Sequence, residues 1–235
     1  MFLLEPPPSP LDLKWQMLGI PVRVHPLFWL FTALLGLGAL RQGIVYLLLW
    51  IVCVFVSILI HELGHVLAGK LFGSDGRILL YSFGGLAIGS SKLAERWQRI
   101  VVYLAGPASQ FLIVLLLTVP YATYSMATQG GEGSVFLSEL FFYLFVINGF
   151  WAALNLLPIW PLDGGQVSRE FFEVANPANG RRMSLVVSLV CAAVLAVVSL
   201  ILMLFYTTLL FGSLAYCSWV MLQATAGQPT LGQNQ

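Results

Sequence analysis

The sequence predicts an all-α polytopic membrane protein: six transmembrane helices, with a small membrane-associated β-hairpin between helices 2 and 3. Two observations carry this expectation. Of the 235 residues, 59% are hydrophobic and 9% charged, whereas about a quarter are charged in ordinary soluble domains. The mean hydropathy is +0.88, and the apolar residues gather into runs near the length of about 20 residues that a helix needs to cross a bilayer.

Taken in order, residues 1–25 hold Glu5, prolines 6, 7, 8 and 10, Asp12, Lys14 and Arg23. No basic stretch precedes an apolar one there, so this is not a signal peptide. It reads as a short extended leader on the cytoplasmic membrane surface. The first span is Pro26–Leu40, uncharged but only 15 residues long. Arg41-Gln42-Gly43 makes a turn, and a second run continues to about Leu71; its stretch Gln42–Ile60 has no charge in 19 residues. Gly73, Ser74, Asp75 and Gly76 break that helix.

Residues 77–90 read as two short strands around a Gly84-Gly85 turn, with an irregular interfacial loop as the alternative. Open sheet edges are not tolerated against lipid, so a hairpin here must lie at the interface or be shielded by protein. The third span runs from Ile100 to about Ala122 and contains Gly106-Pro107, a pair that kinks a helix or admits a close neighbour. A polar loop over Tyr124–Ser138, with Gly130-Gly131-Glu132-Gly133, leads to the fourth span, Leu140 to about Ile159. Residues 161–182 are polar. From Met183 to about Leu222 lie 40 residues of uncharged, largely apolar sequence. They are too many for one crossing, so two are expected, with a turn near Tyr206-Thr207-Thr208.

Basic residues set the orientation. With six spans, one side receives Lys14, Arg23, Lys70, Arg77, Lys92, Arg96, Arg99, Arg169, Arg181 and Arg182, and the other only Arg41. By the positive-inside tendency both termini are cytoplasmic. The net charge of +1 and the absence of a basic run among exposed aromatics exclude a nucleic-acid partner. Cys53, Cys191 and Cys217 all lie in apolar runs, which argues against a disulfide framework.

The chemistry concentrates at His61-Glu62-Leu63-Gly64-His65, at the end of the second apolar run. Ionisable groups at such depth cost about 2.5–3.5 kcal/mol each on insertion scales and mark function. On a helix, His61 and His65 are i and i+4 and project from one face. Two imidazoles so placed can chelate zinc, with Glu62 set to act on water at the metal. A catalytic zinc takes three protein ligands, so a third is needed. His25 is better read as structural or interfacial. Asp163 follows the fourth span in Asn155-Leu-Leu-Pro158-Ile-Trp-Pro161-Leu-Asp163-Gly-Gly, where the prolines end regular helix. It is either that ligand or the cap of a helix beginning there, and the residues alone leave both readings open.

The pairing of His61-Glu-Leu-Gly-His65 with Asn155-Leu-Leu-Pro-Ile-Trp-Pro-Leu-Asp163-Gly-Gly resembles the site-2 protease family of intramembrane zinc metalloproteases. Val22-Arg-Val-His-Pro26, Ser82-Phe-Gly-Gly85 and Leu104-Ala-Gly-Pro107 agree, so the resemblance covers about residues 20–180. It implies a metalloendopeptidase holding one Zn2+ per chain. His61, His65 and Asp163 would be the metal ligands, Glu62 the catalytic base, and Asn155, Gly84 and Gly85 substrate-positioning residues. The substrate would be a membrane protein cut in or near its transmembrane segment by zinc-activated water, as in regulated intramembrane proteolysis in a bacterial inner membrane.

The implied organisation is a leader (1–25), a catalytic membrane core (26–182), two C-terminal transmembrane helices (183–226) and a polar tail (227–235). The sequence departs from the family's usual Ala-Gly-Pro-x-x-Asn by carrying Gln110. The alternatives are an inactive relative that binds metal or substrate helices without cleavage, and a zinc transporter. Glu62 argues against a pure binding site, which needs no base beside its first ligand. The absence of an internal repeat argues against a transporter.

Overall fold

The computed structural model describes residues 5–82, 84–128 and 134–226. The predicted tail 227–235 and the Gly130–Gly133 segment lie outside the described residues. The chain divides into two compact units, whose described parts are residues 5–153 and 154–226.

The first unit begins with strands β1 (Leu13–Met17) and β2 (Ile20–Val24), followed by helices α1 (Pro26–Leu35) and α2 (Ile44–Leu71). Then come β3 (Arg77–Tyr81), β4 (Gly84–Ile88), α3 (Arg96–Ala127) and α4 (Val135–Asn155), whose last two residues fall in the second unit. The strands form one sheet in the order β1-β2-β3-β4. β2 and β3 are parallel and the other pairs antiparallel.

Residues 13–24 are therefore not the extended leader expected from the sequence, and the sheet has four strands rather than two. The period-2 pattern Ile20-Pro-Val22-Arg-Val24 carries the signal: Ile20, Val22 and Val24 are buried and the residues between them are not. Leu18 and Gly19 (φ 53° and 69°) close the β1–β2 hairpin as a two-residue turn with both φ positive, the geometry that suits the twist of paired strands. Lys70 Nζ reaches the carbonyls of Leu18 and Gly19 (3.4 and 3.5 Å), so this turn sits at the C-terminal end of α2.

The expected Gly84-Gly85 turn is also corrected. Both glycines lie within β4, and β3 has already ended at Ser82, whose φ is 47°. The physical reason is close packing. A Cβ on Gly85 would overlap the Glu62 side chain, so glycine is required in the strand rather than at the turn.

Arg23 ties the N-terminal segment to β2. Its Nε donates to Asp12 Oδ2 (2.7 Å) and its Nη2 to the Pro7 carbonyl (2.8 Å). Asp12 Oδ2 also accepts from the Ser9 N–H (2.9 Å). Burial opposes ionisation of Asp12, but the Ser9 hydrogen bond and the Arg23 guanidinium outweigh it and hold the carboxyl below its ordinary 3.8. A carboxyl lowered in the folded state adds stability above its unfolded pKa and loses it as pH falls through the folded value. Asp12 docking is therefore complete above about pH 4 and lost on further acidification. Protection factors of the Ser9, Leu11 and Asp12 amides should fall there in wild type and stay unchanged with pH in Asp12→Asn. Equal protection in both proteins at neutral pH would show that the pair contributes nothing.

Among the described residues, five helices are long and apolar enough to cross a membrane: α2, α3, α4 and, in the second unit, α6 (Gly180–Ile201) and α7 (Phe205–Ala226). The expected first span is a ten-residue α1 followed by a 3-10 turn at Ala39–Gln42. The C-terminal turn falls at Leu202–Leu204, a few residues before the expected place, with Met203 at φ 57°. The second unit also holds the short helix α5 (Asp163–Ala175). Leu154, Ile159, Ala192, Phe211 and Leu214 form its core. In the first unit β2 and β3 pack with α2 through Val22, Val24, Ile58, Val66, Ile78 and Leu80.

Candidate metal centre

His61, Glu62 and His65 lie in the C-terminal part of α2 and are all buried (3%, 5% and 5% exposed). At 1.5 Å per residue, they stand about 9–15 Å before the end of the helix at Leu71. The two imidazoles meet edge to face, with ring centroids 4.7 Å apart and planes at 82°. Their Nε2 atoms are 3.1 Å apart.

Helix α3 holds both rings from the other side. His65 Nδ1 is 2.7 Å from the Val102 carbonyl, and His61 Nδ1 is 2.9 Å from Gln110 Oε1. Both partners are acceptors, so each Nδ1 carries the proton and donates, and each Nε2 presents a lone pair. Two lone pairs facing at 3.1 Å call for a cation between them. Zinc–nitrogen bonds of about 2.0–2.1 Å in tetrahedral geometry put two nitrogens roughly 3.3–3.4 Å apart. The donor set therefore fits a borderline-soft divalent ion such as zinc.

The approach of α3 depends on Gly106. A Cβ there would lie 2.8 Å from His61 Nε2 and closer still to His65 Nε2. Glu62, next to His61 in sequence, has its carboxyl end against Gly85 of β4, so the edge strand of the sheet runs beside the acid. Gly84 is adjacent in the same strand, near the Trp151 ring. A further polar link joins α2 to α4: Asn148 Nδ2 donates to Ser57 Oγ at 2.9 Å. His25 is a helix cap: its Nδ1 accepts from the Leu27 N–H (3.2 Å) and its ring meets Tyr81 edge-on.

Asp163 and Asn155 belong to the second unit. Asn155 is the last residue of α4 and is buried (9% exposed). Asp163 is the first residue of α5; Leu162 occupies the cap position, and no side chain makes the capping hydrogen bond. A carboxylate at this place is favoured by the helix dipole. The intervening segment is pinned by Ser188 Oγ, which accepts from the Trp160 N–H (2.7 Å) and pairs with Ser218 Oγ (2.7 Å). Gly164 and Gly165 face the backbone of Leu156 and Ile159 so closely that no Cβ would fit. Sequence reasoning brought forward the histidines and Glu62. It gave no sign of the Val102 carbonyl, because any residue supplies one, nor of Ser188, one serine among several in an apolar helix.

The fold and this centre define a class: a multi-pass membrane protein with a buried two-histidine, one-glutamate cluster on its second helix. The chain belongs to peptidase family M50, whose family model matches residues 49–136 and 125–202. It is 31% identical over 157 residues to a zinc metalloprotease of Methanocaldococcus jannaschii, covering 66% of this chain and 43% of that protein. It is 32% identical over 182 residues to stage IV sporulation protein FB of Bacillus subtilis, covering 75% of this chain and 56% of that one. The chain thus spans about half of each relative's length. Among solved structures, the site-2 protease from Methanocaldococcus jannaschii shares the fold. The TM-score is 0.61 at 22% identity, covering 90% of this chain and 95% of that one.

Proposed function

We propose that this chain is an intramembrane zinc metalloendopeptidase that hydrolyses a peptide bond in or near the transmembrane segment of a membrane protein. One observation carries the reading: two imidazoles converge through their Nε2 atoms on one point, and a buried glutamate stands next to them in sequence. His61 and His65 are two ligands of a single zinc, and Asp163 is the third. Zinc-protease homologues, the three-ligand requirement of catalytic zinc and the position of Asp163 at the end of a proline-broken segment support that assignment.

When bound, zinc supplies Lewis-acid polarisation of a carbonyl and a lowered pKa for water. The rest falls to the protein. Glu62 accepts the proton of the attacking water and returns it to the leaving amine, the ordinary work of a general acid–base group. β4, at the edge of the sheet, holds the substrate as an added strand through Gly84 and Gly85, a mode in which backbone hydrogen bonds supply the affinity. A helical substrate hides its carbonyls in i to i+4 bonds and must unwind first. Asn155 orients substrate or water.

The first crossing is composite. The β1–β2 turn lies at the C-terminal end of α2. Trp50 Nε1 donates to the Thr32 carbonyl (3.1 Å), which places α1 beside the N-terminal half of α2. β2 and α1 together therefore run back along α2, whose 28 residues span about 42 Å. That makes six crossings, with both termini on the basic, cytoplasmic side of the inner membrane.

Metal analysis tests the ligand set. The chain purified in detergent should hold one zinc, and Asp163→Ala should release it or weaken it by more than about tenfold. Unchanged zinc in that variant would leave Asp163 with only its helix-terminal role. Cleavage of single-span membrane proteins by the intact chain tests the activity, and no cleavage of any such substrate by zinc-loaded protein would favour a binding role.

A further inference from the structure

Gln110 is wholly buried (0% exposed) in an apolar membrane helix, where an amide is costly unless it is hydrogen-bonded. Its Oε1 accepts from His61 Nδ1 at 2.9 Å, whereas its Nε2 only reaches the Ser57 carbonyl at 3.5 Å. The short contact is the one to the imidazole. The two histidines are thus held by unlike means. His65 donates to a backbone carbonyl, which no side-chain substitution removes. His61 donates to a side chain, so its orientation depends on the identity and reach of residue 110.

We propose that Gln110 is a positioning residue. It fixes the His61 ring in the Nδ1–H tautomer with Nε2 turned toward His65, and so sets the affinity of the centre for its divalent cation. The inference rests on the zinc reading of His61 and His65. A neutral imidazole carries one donor and one acceptor nitrogen, and an oxygen that can only accept selects the tautomer with N–H facing it. Without that oxygen the ring populates both tautomers and loses its rotational anchor. Loss of such an outer partner typically costs 10–100-fold in metal affinity.

The test is zinc affinity, measured on the full chain in detergent by competition with a chromophoric chelator. The wild-type arm comes first. Stoichiometric zinc that is lost in His61→Ala supports the centre, and no zinc in the wild type overturns the zinc reading and this inference together. Gln110→Met keeps the length and bulk of the side chain but has no acceptor oxygen; it should bind zinc about 10–100-fold more weakly. Gln110→Glu keeps an Oε1 at the same reach and should stay within about threefold of wild type. A purely packing role would predict the opposite order. With the wild-type site intact, a loss under about threefold in Gln110→Met overturns the inference, as does a loss above about threefold in Gln110→Glu. Should the methionine variant fail to fold, Gln110→Glu decides by the same threshold.

Discussion

Glu62→Gln should retain its zinc and lose proteolysis by about 10²–10⁴-fold, the usual contribution of a positioned general acid–base group. The substitution is nearly isosteric. The space beside Gly85 that the glutamate fills therefore stays filled, and the two imidazoles keep their Nδ1 partners on α3. What changes is proton chemistry: a carboxylate can take a proton from water and an amide cannot. The measurement is cleavage of a single-span membrane protein by equal amounts of zinc-loaded wild type and variant. Full activity in the variant would remove Glu62 as the base. Loss of activity together with loss of zinc would assign it to holding the site instead.

Gly106→Ala should abolish zinc binding while the chain still inserts. The new methyl group would fall on the Nε2 atoms of both histidines, against the lone pairs that form the centre. Either the rings rotate away from Val102 and Gln110, or α3 moves off α2; both dissolve the convergence. Overpacking of this kind costs about 1–3 kcal/mol of stability. Gly149→Ala on α4 is the matched control, because nothing lies within 4 Å of a Cβ there. It should bind zinc as wild type does and gain slightly from helix propensity, by about 0.5–1 kcal/mol. Zinc content and detergent unfolding of the two variants check this. Normal zinc in Gly106→Ala would show that α3 does not seat against the imidazoles as described.

The centre was legible in the sequence to an unusual degree because its chemistry is expensive. Two histidines and a glutamate at the end of an uncharged run have no cheap explanation in a membrane, and i, i+4 spacing on a helix settles that the rings share a face. Apolar length likewise marked α2, α3, α4, α6 and α7. The sheet was harder. Gly84-Gly85 carries a turn signal, yet both residues are strand, and what crowds Gly85 there is the Glu62 side chain from another element. Ile20-Pro-Val-Arg-Val24 has the alternation of a strand, but five residues with a proline in them make a weak pattern beside a proline-rich leader. The ten residues of α1 are too few to span a bilayer as a helix, and the parallel pairing of β2 with β3 joins segments more than 50 residues apart, which no local pattern announces.

From the amino-acid order alone came the membrane class, the helix that bears the histidines, and the three side chains that carry the proposed chemistry. These follow from local rules: apolar length, helical period and the cost of burying charge. The tertiary structure decided how each ring is held, through the Val102 carbonyl and the Gln110 amide. It also decided why α3 needs a glycine over the histidines, and which strand lies against the glutamate. Those contacts join residues about 20 to 50 positions apart in the chain. Backbone carbonyls and close approaches have no residue-type signature, so only packing reveals them.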